Sequence, residues 1–318
     1  MPNVLVTGTA GFIGSLLAEQ LLREGHSVRG VDCLTPYYNT GTKRANLRRL
    51  TESELFRLVE ADLVECDIDA LLDGIDVVFH LAGQPGVRLS WAEQFATYER
   101  HNVLATQRLL EGSRRSSVER LVYASSSSIY GNPASFPTPE NCLPRPHSPY
   151  GVTKLAAEHL CALYAANWKL STVSLRFFTV YGPRQRPDMA IHRLTEAALT
   201  GASFGLFGDG KQIRDFTFVG DVVRACVAAG RADVAPGTAM NIAGGSSITV
   251  NDLVRLVSDV AGCPIATTTR PSQPGDVART GGTIDLANRL LSWEPRVSLR
   301  DGIVEQVRWH RSRHALSQ

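Results

Sequence analysis

The sequence predicts a doubly wound parallel α/β sheet joined to a smaller α/β lobe, and three observations carry that prediction. Short apolar runs at 3–7, 27–31, 58–61, 77–81, 121–124 and 173–177 recur with helical patterns between several of them, the alternation expected of parallel strands joined by crossover helices. The first run passes directly into a turn punctuated by Gly8, Gly11 and Gly14, ahead of an apolar helical pattern. From Val180 onward the alternation gives way to turn-rich basic segments, where a second lobe begins.

The first strand carries Val4, Leu5 and Val6, and the helix after the turn is marked by Leu16, Leu17, Leu21 and Leu22, ending near Gly25. Glycines at such a turn let the backbone approach a pyrophosphate, which then rests on the positive helix N-terminus. The spacing is Gly-x-x-Gly-x-x-Gly and departs from the usual G-x-G-x-x-G. The second strand ends on Asp32, at the distance where a carboxylate reaches adenosine ribose hydroxyls and repels a 2′-phosphate. Cys33 follows where an arginine would welcome that phosphate, so NAD is expected over NADP, although Arg29, Lys43 and Arg44 pull the other way. The basic run at 43–50 reads as a solvated helix face.

Polar groups gather after the later strands: Asp62 and Leu63, then Ala82 to Gln84 and Gly86 to Arg88, then Ser125, Ser126, Ser127 and Ser128. Ligands of open α/β sheets bind beyond the carboxyl ends of the strands, so these residues are expected to line one crevice. Tyr150 and Lys154 stand four apart, and a helix beginning at Gly151 would put the phenol and the ammonium on one face. A free tyrosine, with a pKa of roughly 10, is a poor base, and a shift of about 3 units takes roughly 4 kcal/mol. The lysine charge and a second cation, such as an oxidised nicotinamide, would supply it. Such a pair is usually an ordinary solvated neighbour pair, but the chain has only four lysines, which makes one at this spot unexpected.

The segments at 181–188 and 207–215 are rich in turns and arginine, and arginine forks suit phosphates and carboxylates. Helices are expected at 221–229, 250–261 and 302–310, a strand at 241–243 and a loop at 273–277. The length fits two intertwined domains, one at 1–178 plus about 219–244 and the other at about 179–218 plus 245–318. A formal net charge of +2 with no long basic run argues against nucleic acid or a membrane surface as partner. The six cysteines are scattered and form no C-x-x-C, so no metal site or disulfide framework is expected, only reduced and mostly buried thiols. The N-terminus enters an apolar strand without a charged leader, and a cytoplasmic enzyme is expected.

Taken together, TGTAGFIG at 7–14, Asp32, Asp62-Leu63, LAGQ at 81–84, SSSSIYG at 125–131, Tyr150 with Lys154, and RDFTFVGD at 214–221 resemble the extended short-chain dehydrogenase/reductase family over nearly the whole chain. Within it the chain is similar to the nucleotide-sugar epimerases, and most of all to UDP-glucuronate 4-epimerases, through PYYN at 36–39, KRANL at 43–47, GQPGVR at 83–88, FFTVYGPRQRPDMA at 177–190 and QPGDV at 273–277. The resemblance implies a Rossmann-type sheet and bound NAD. Gly8, Gly11, Phe12, Ile13, Gly14, Asp32, Asp62 and Leu63 would hold the cofactor, together with Leu81, Ala82, Gln84, Asn102, Ser125, Tyr150 and Lys154. It implies Tyr150 as base, Lys154 as holder of its charge and of the nicotinamide ribose, and Ser126 as third member of the triad. Ser127, Ser128, Thr179, Arg88 and Arg186 would face the sugar or its carboxylate, and Arg193, Gln212, Arg214 and Asp276 the uridine diphosphate end.

The implied reaction takes a proton from the sugar 4-hydroxyl and a hydride from its carbon, turns the 4-keto sugar over, and returns the hydride to the other face. Related 4,6-dehydratases carry an Asp-Glu pair where Ser127 and Ser128 stand, and UDP-glucuronate decarboxylases a glutamate at Ser128. UDP-glucose 4-epimerases usually carry asparagine at Thr179. These, and a dinucleotide-sensing regulator without turnover, are the alternatives. Family members commonly pair through two helices, here roughly 91–114 and 152–168, so a homodimer is implied.

Overall fold

In the computed structural model, which describes residues 1–317, the apolar runs form strands close to their expected places. They are β1 (Asn3–Thr7), β2 (Ser27–Asp32), β3 (Phe56–Glu60), β4 (Val77–His80), β5 (Arg120–Ser126) and β6 (Thr172–Phe177). After them come β7 (Thr179–Tyr181), β8 (Phe204–Phe207), β9 (Ile213–Phe218), β10 (Thr238–Ile242), β11 (Ser247–Thr249) and β12 (Thr267–Arg270). Seven of these make one parallel sheet in the order β10-β6-β5-β4-β1-β2-β3. The chain winds outward one way from β1 and the other way from β4, and this switch point is where a crevice opens. The register sets Thr7 opposite both Val31 and His80, which brings the glycine turn, Asp32 and Leu81 to the same edge.

Strands buried on both faces are apolar on both, and helices cover the two sides. One core joins Val4, Val6, Phe79 and Val122 to the Phe12–Arg23 and Val219–Arg231 helices. The other joins Leu5, Val78 and Leu121 to the Ala105–Arg115 and Pro149–Trp168 helices. A third apolar cluster lies among the Ala190–Thr200, Val250–Ala261 and Leu299–Ser317 helices with Phe204, Leu206 and Phe216. Trp293, far along the chain, packs into the first core, and its Nε1 donates to the carbonyl of Asp221 at 2.9 Å.

Several local expectations change. The long helix starts at Pro149, two residues before the expected Gly151, because Ser148 caps it by accepting from the Gly151 amide at 3.1 Å. Tyr150 is therefore already helical. The basic run lies on a Thr40–Thr51 helix, yet Lys43, Asn46, Leu47 and Leu50 are buried, so that face is packed and not solvated. The first of the two expected pairing helices is broken into a 3₁₀ turn Ala92–Gln94, a short helix Phe95–Tyr98, a π-helical stretch Glu99–Leu104 and then Ala105–Arg115. The thiols are free, but only Cys161 and Cys226 are buried. Cys33 is exposed and Cys66, Cys142 and Cys263 are half-buried, because cysteines near strand ends and loops find no apolar cover. Around the two helices expected to pair, Trp91, Phe95, Leu104, Val152, Leu163 and Trp168 are exposed. Among the described residues no helix is long and apolar enough to cross a membrane.

Candidate active site

A cleft of ≈ 880 Å³ runs from the glycine turn across the carboxyl ends of the central strands to the smaller sheets. Every residue singled out in the sequence for cofactor, catalysis or substrate lies on its wall, from Gly8 through Tyr150 and Lys154 to Asp276. Residues from widely separated parts of the chain thus meet because they sit at strand ends, in the loops that follow, or on the helices that border those loops.

The glycine turn is packed against backbone too closely for side chains. Gly8 has φ +70°, and a Cβ on it would stand 2.8 Å from the Ala82 amide; one on Gly14 would stand 2.2 Å from the Gly8 carbonyl. Asp32 is held by two backbone amides, Ala10 to Oδ2 at 3.0 Å and Leu34 to Oδ1 at 2.8 Å. Lys43 lies 3.8 Å from that carboxylate and donates to the Thr35 hydroxyl at 3.2 Å. Asp62 accepts from the Val64 amide at 2.8 Å and from Arg100 at 2.8 Å. Against the cost of burial, those two donors hold its carboxyl below the usual range.

Asn102 occupies the π-helical stretch, an irregularity often found beside functional sites. Its amide is fully engaged: Oδ1 accepts from the Gln84 amide at 2.7 Å, and Nδ2 donates to the Gln84 carbonyl at 3.1 Å and to Thr153 at 3.0 Å. It positions Gln84 and the start of the Tyr150 helix. The Ser125 hydroxyl is likewise engaged, donating to Glu158.

At the centre, the Ser126 hydroxyl lies beside the Tyr150 phenol, near enough to favour its ionised form. Ser126 also accepts the Ser128 amide at 3.1 Å, which leaves its O–H for the phenol. Burial pushes the Tyr150 phenol above its ordinary value, opposed by the Ser126 hydroxyl and by the Arg186 charge. Lys154, 7% exposed, lies 4.5 Å over the Tyr123 ring. Burial drives its ammonium down to about 8, against the pull of Cys161 and Glu158. Tyr98 meets Tyr150 edge-on at 6.2 Å, and its own hydroxyl is committed to the carbonyls of Pro85 at 3.0 Å and Gly86 at 2.8 Å.

Arginines crowd the far end. Arg88 pairs with Asp276 at 3.0 Å and lies 3.9 Å over the Phe207 ring. This groups it with Arg193 and Arg214 and not with the serines, where the sequence had put it. Burial and then the nearby Arg88 lower the proton affinity of Arg193, and the same charge opposes Arg214, so this end is short of anions. Gln212 donates to the Phe207 carbonyl at 3.0 Å. Arg186 meets Asp188 as a fork, Nε to Oδ1 and Nη2 to Oδ2, each at 3.0 Å. Lys43, Tyr98, Asp188 and Phe207 line or shape the cleft without having been picked out as site residues. A signal was present only for Asp188, which ends the arginine-rich turn.

The sequence matches the NAD dependent epimerase/dehydratase family over residues 4–243. It is 42% identical over 306 residues, 96% of each chain, to the uncharacterized UDP-glucose epimerase YtcB of Bacillus subtilis (strain 168). To the probable UDP-glucuronate 4-epimerase of Rhizobium meliloti (strain 1021) it is 35% identical over 328 residues, again 96% of each. The crystal structure of UDP-glucuronic acid 4-epimerase from Bacillus cereus in complex with UDP-glucuronic acid and NAD superposes with a TM-score of 0.95 at 39% identity, covering 98% of this chain and 99% of that one.

Proposed function

The chain belongs to the NAD dependent epimerase/dehydratase family, and on that premise we propose that it interconverts UDP-glucuronate and UDP-galacturonate by NAD-dependent 4-epimerisation. One observation carries the choice of sugar. Arg186 is near enough to Tyr150 to favour its phenolate, so a sugar whose 4-hydroxyl meets Tyr150 has the carboxylate on its neighbouring carbon within reach of that guanidinium.

In this reading the glycine turn and Asp32 hold the adenosine half of NAD, Asp62, Leu63, Leu81, Ala82 and Gln84 follow its length, and Lys154 takes the nicotinamide ribose. Bound NAD supplies a hydride acceptor that returns the hydride within the same turnover. The Tyr150 oxygen accepts the 4-hydroxyl proton and gives it back to the ketone oxygen when the hydride returns, while the Ser126 hydroxyl donates to the phenolate and the Lys154 ammonium stabilises it. Arg88, Arg193, Gln212, Arg214 and Asp276 grip the uridine diphosphate while the sugar ring turns over. Ser127, Ser128 and Thr179, with Arg186, hold the carboxylate where its breaking bond cannot overlap the neighbouring ketone, and so suppress loss of carbon dioxide. A proton NMR time course on UDP-glucuronate, run beside UDP-glucose and UDP-xylose, is expected to yield UDP-galacturonate; a dominant pentose product would refute the assignment.

A second reading, UDP-glucose 4-epimerisation, has support in the name of the Bacillus subtilis relative and in the fork between Arg186 and Asp188, which already occupies the guanidinium. Arg186→Gln separates the two. It is expected to lower kcat/KM for UDP-glucuronate by about 10- to 100-fold more than for UDP-glucose, the value of one charge-assisted hydrogen bond, because the loss of its charge beside Tyr150 falls on both sugars alike. Equal loss on both sugars would favour the second reading.

We further read residues 1–178 plus about 219–244 as the NAD-binding domain and about 179–218 plus 245–318 as the sugar-nucleotide lobe. The exposed apolar face formed by Trp91, Phe95, Leu163, Trp168 and their neighbours suits a homodimer, since large apolar patches mark association surfaces. The double variant Leu163→Asp, Trp168→Asp is expected to halve the mass measured by light scattering. A cytoplasmic setting suits free thiols, Cys33 being exposed.

A further inference from the structure

Away from the cleft, the Ala190–Thr200 and Leu299–Ser317 helices bring His192, Glu196 and His310 together so that one donor atom from each lies within 4.8 Å of the others. His192 and Glu196 are four apart on one helix, and His310 and His314 are four apart on the other, so each helix turns two donors to the same side. Both histidines of the second helix meet one carboxylate: Glu196 lies 2.6 Å from His310 Nδ1 and 3.1 Å from His314 Nε2.

Two further features belong to a ligand site more than to a simple ion pair. His192 Nδ1 lies 2.8 Å from the Gln185 carbonyl, which can only accept, so the proton is on Nδ1 and Nε2 carries a bare lone pair. Histidines that bind metals are usually oriented in this way by a carbonyl on the other nitrogen. His310 is 1% exposed, its ring centroid is 4.5 Å from that of His192, and its Nε2 has no hydrogen-bond partner.

We propose that these two helices bind one divalent transition metal of the zinc class through His192, Glu196 and His310, with His314 as fourth donor. Imidazole nitrogens with a single carboxylate suit zinc, cobalt or nickel, and do not suit magnesium or calcium. Zinc ligands at roughly 2.0–2.2 Å stand about 3.3 Å apart in a tetrahedron, so side-chain rotation has to draw the set inward, and Glu196 has to leave His310 Nδ1 to reach an ion on the Nε2 side of that ring. Arg313 lies near both His192 and His310 and opposes a cation, and Glu196 is the charge that offsets it. The role is structural. Gln185, which orients His192 and also accepts its backbone amide at 2.9 Å, immediately precedes Arg186, so the metal would brace the turn that carries that arginine.

The test is calorimetric titration of the tag-free, chelator-treated full chain with zinc chloride, alongside the absorption spectrum of its cobalt form. One site per chain of micromolar affinity or tighter, a tetrahedral cobalt spectrum and a zinc-dependent rise in Tm are expected. His192→Ala and, separately, Glu196→Gln are expected to weaken binding by at least about tenfold and to abolish the rise in Tm. Absence of saturable binding to the parent chain overturns the proposal, and so does unchanged affinity in both variants, which would assign the metal to other donors.

Discussion

Tyr150→Phe is expected to reduce epimerisation by about 10³- to 10⁴-fold, the upper range for loss of a general base, with the fold and NAD binding retained. The phenol oxygen is the atom on which the proposed chemistry converges, since both the Ser126 hydroxyl and the Arg186 charge favour its ionised form. No nearby tyrosine can take over, because the Tyr98 hydroxyl donates to two backbone carbonyls. The ring that packs edge-on against Tyr98 survives the substitution, so the cleft wall stays in place. An NMR time course on UDP-glucuronate, together with a fluorescence titration of NAD, measures both halves. Turnover within tenfold of the parent would remove Tyr150 from the mechanism. Because burial raises the phenol above its ordinary value, the active phenolate fraction grows with pH, and activity of the parent is expected to climb on the alkaline side of neutrality.

Lys154→Met is expected to abolish activity and yet stabilise the protein measured without cofactor. Burial lowers the Lys154 ammonium to about 8, from the ordinary lysine value of roughly 10.4. A lysine whose folded pKa is depressed binds fewer protons folded than unfolded between those two values, so stability rises with pH across roughly 8 to 10 and the full cost of the buried charge is borne below that window. That cost is on the order of 3 kcal/mol. Methionine fills a similar volume without a charge. A gain of about 1–3 kcal/mol at pH 7, shrinking by pH 10, is therefore expected from urea denaturation. A variant less stable than the parent at pH 7 would show that the ammonium is not paying a burial cost. The lysine is kept, on this account, because its charge supports the Tyr150 phenolate, and stability is given up for that function.

Much of the site was legible because its pieces are local. Gly8, Gly11 and Gly14 announce a turn that side chains would obstruct, and Asp32 announces the end of the next strand; each is read within a few residues of its own context. The four-residue step from Tyr150 to Lys154 needs only a helix, and Ser148 with Pro149 starts one. Pairings between distant segments were not legible. Arg88 was expected beside the sugar, but its partner Asp276 is 188 residues away. Lys43 sits in a run with the composition of a solvated face, and its burial beside Asp32 depends on where the Thr40–Thr51 helix docks. Asn102 had its backbone irregularity hidden, since a π-helical stretch has no composition of its own.

What this chain's amino acids determined on their own was the alternation of strand and helix, the glycine turn, the carboxylate at Asp32 and the Tyr150–Lys154 step, all of which follow from short-range periodicity and the stereochemistry of glycine and proline. Tertiary structure alone decided which distant charges face one another: Arg88 with Asp276, and His310 and His314 with Glu196. Side-chain identity limits what a residue can bind, but the energy of a charge is set by its neighbours and its distance from water, and both come into being only when the chain has folded.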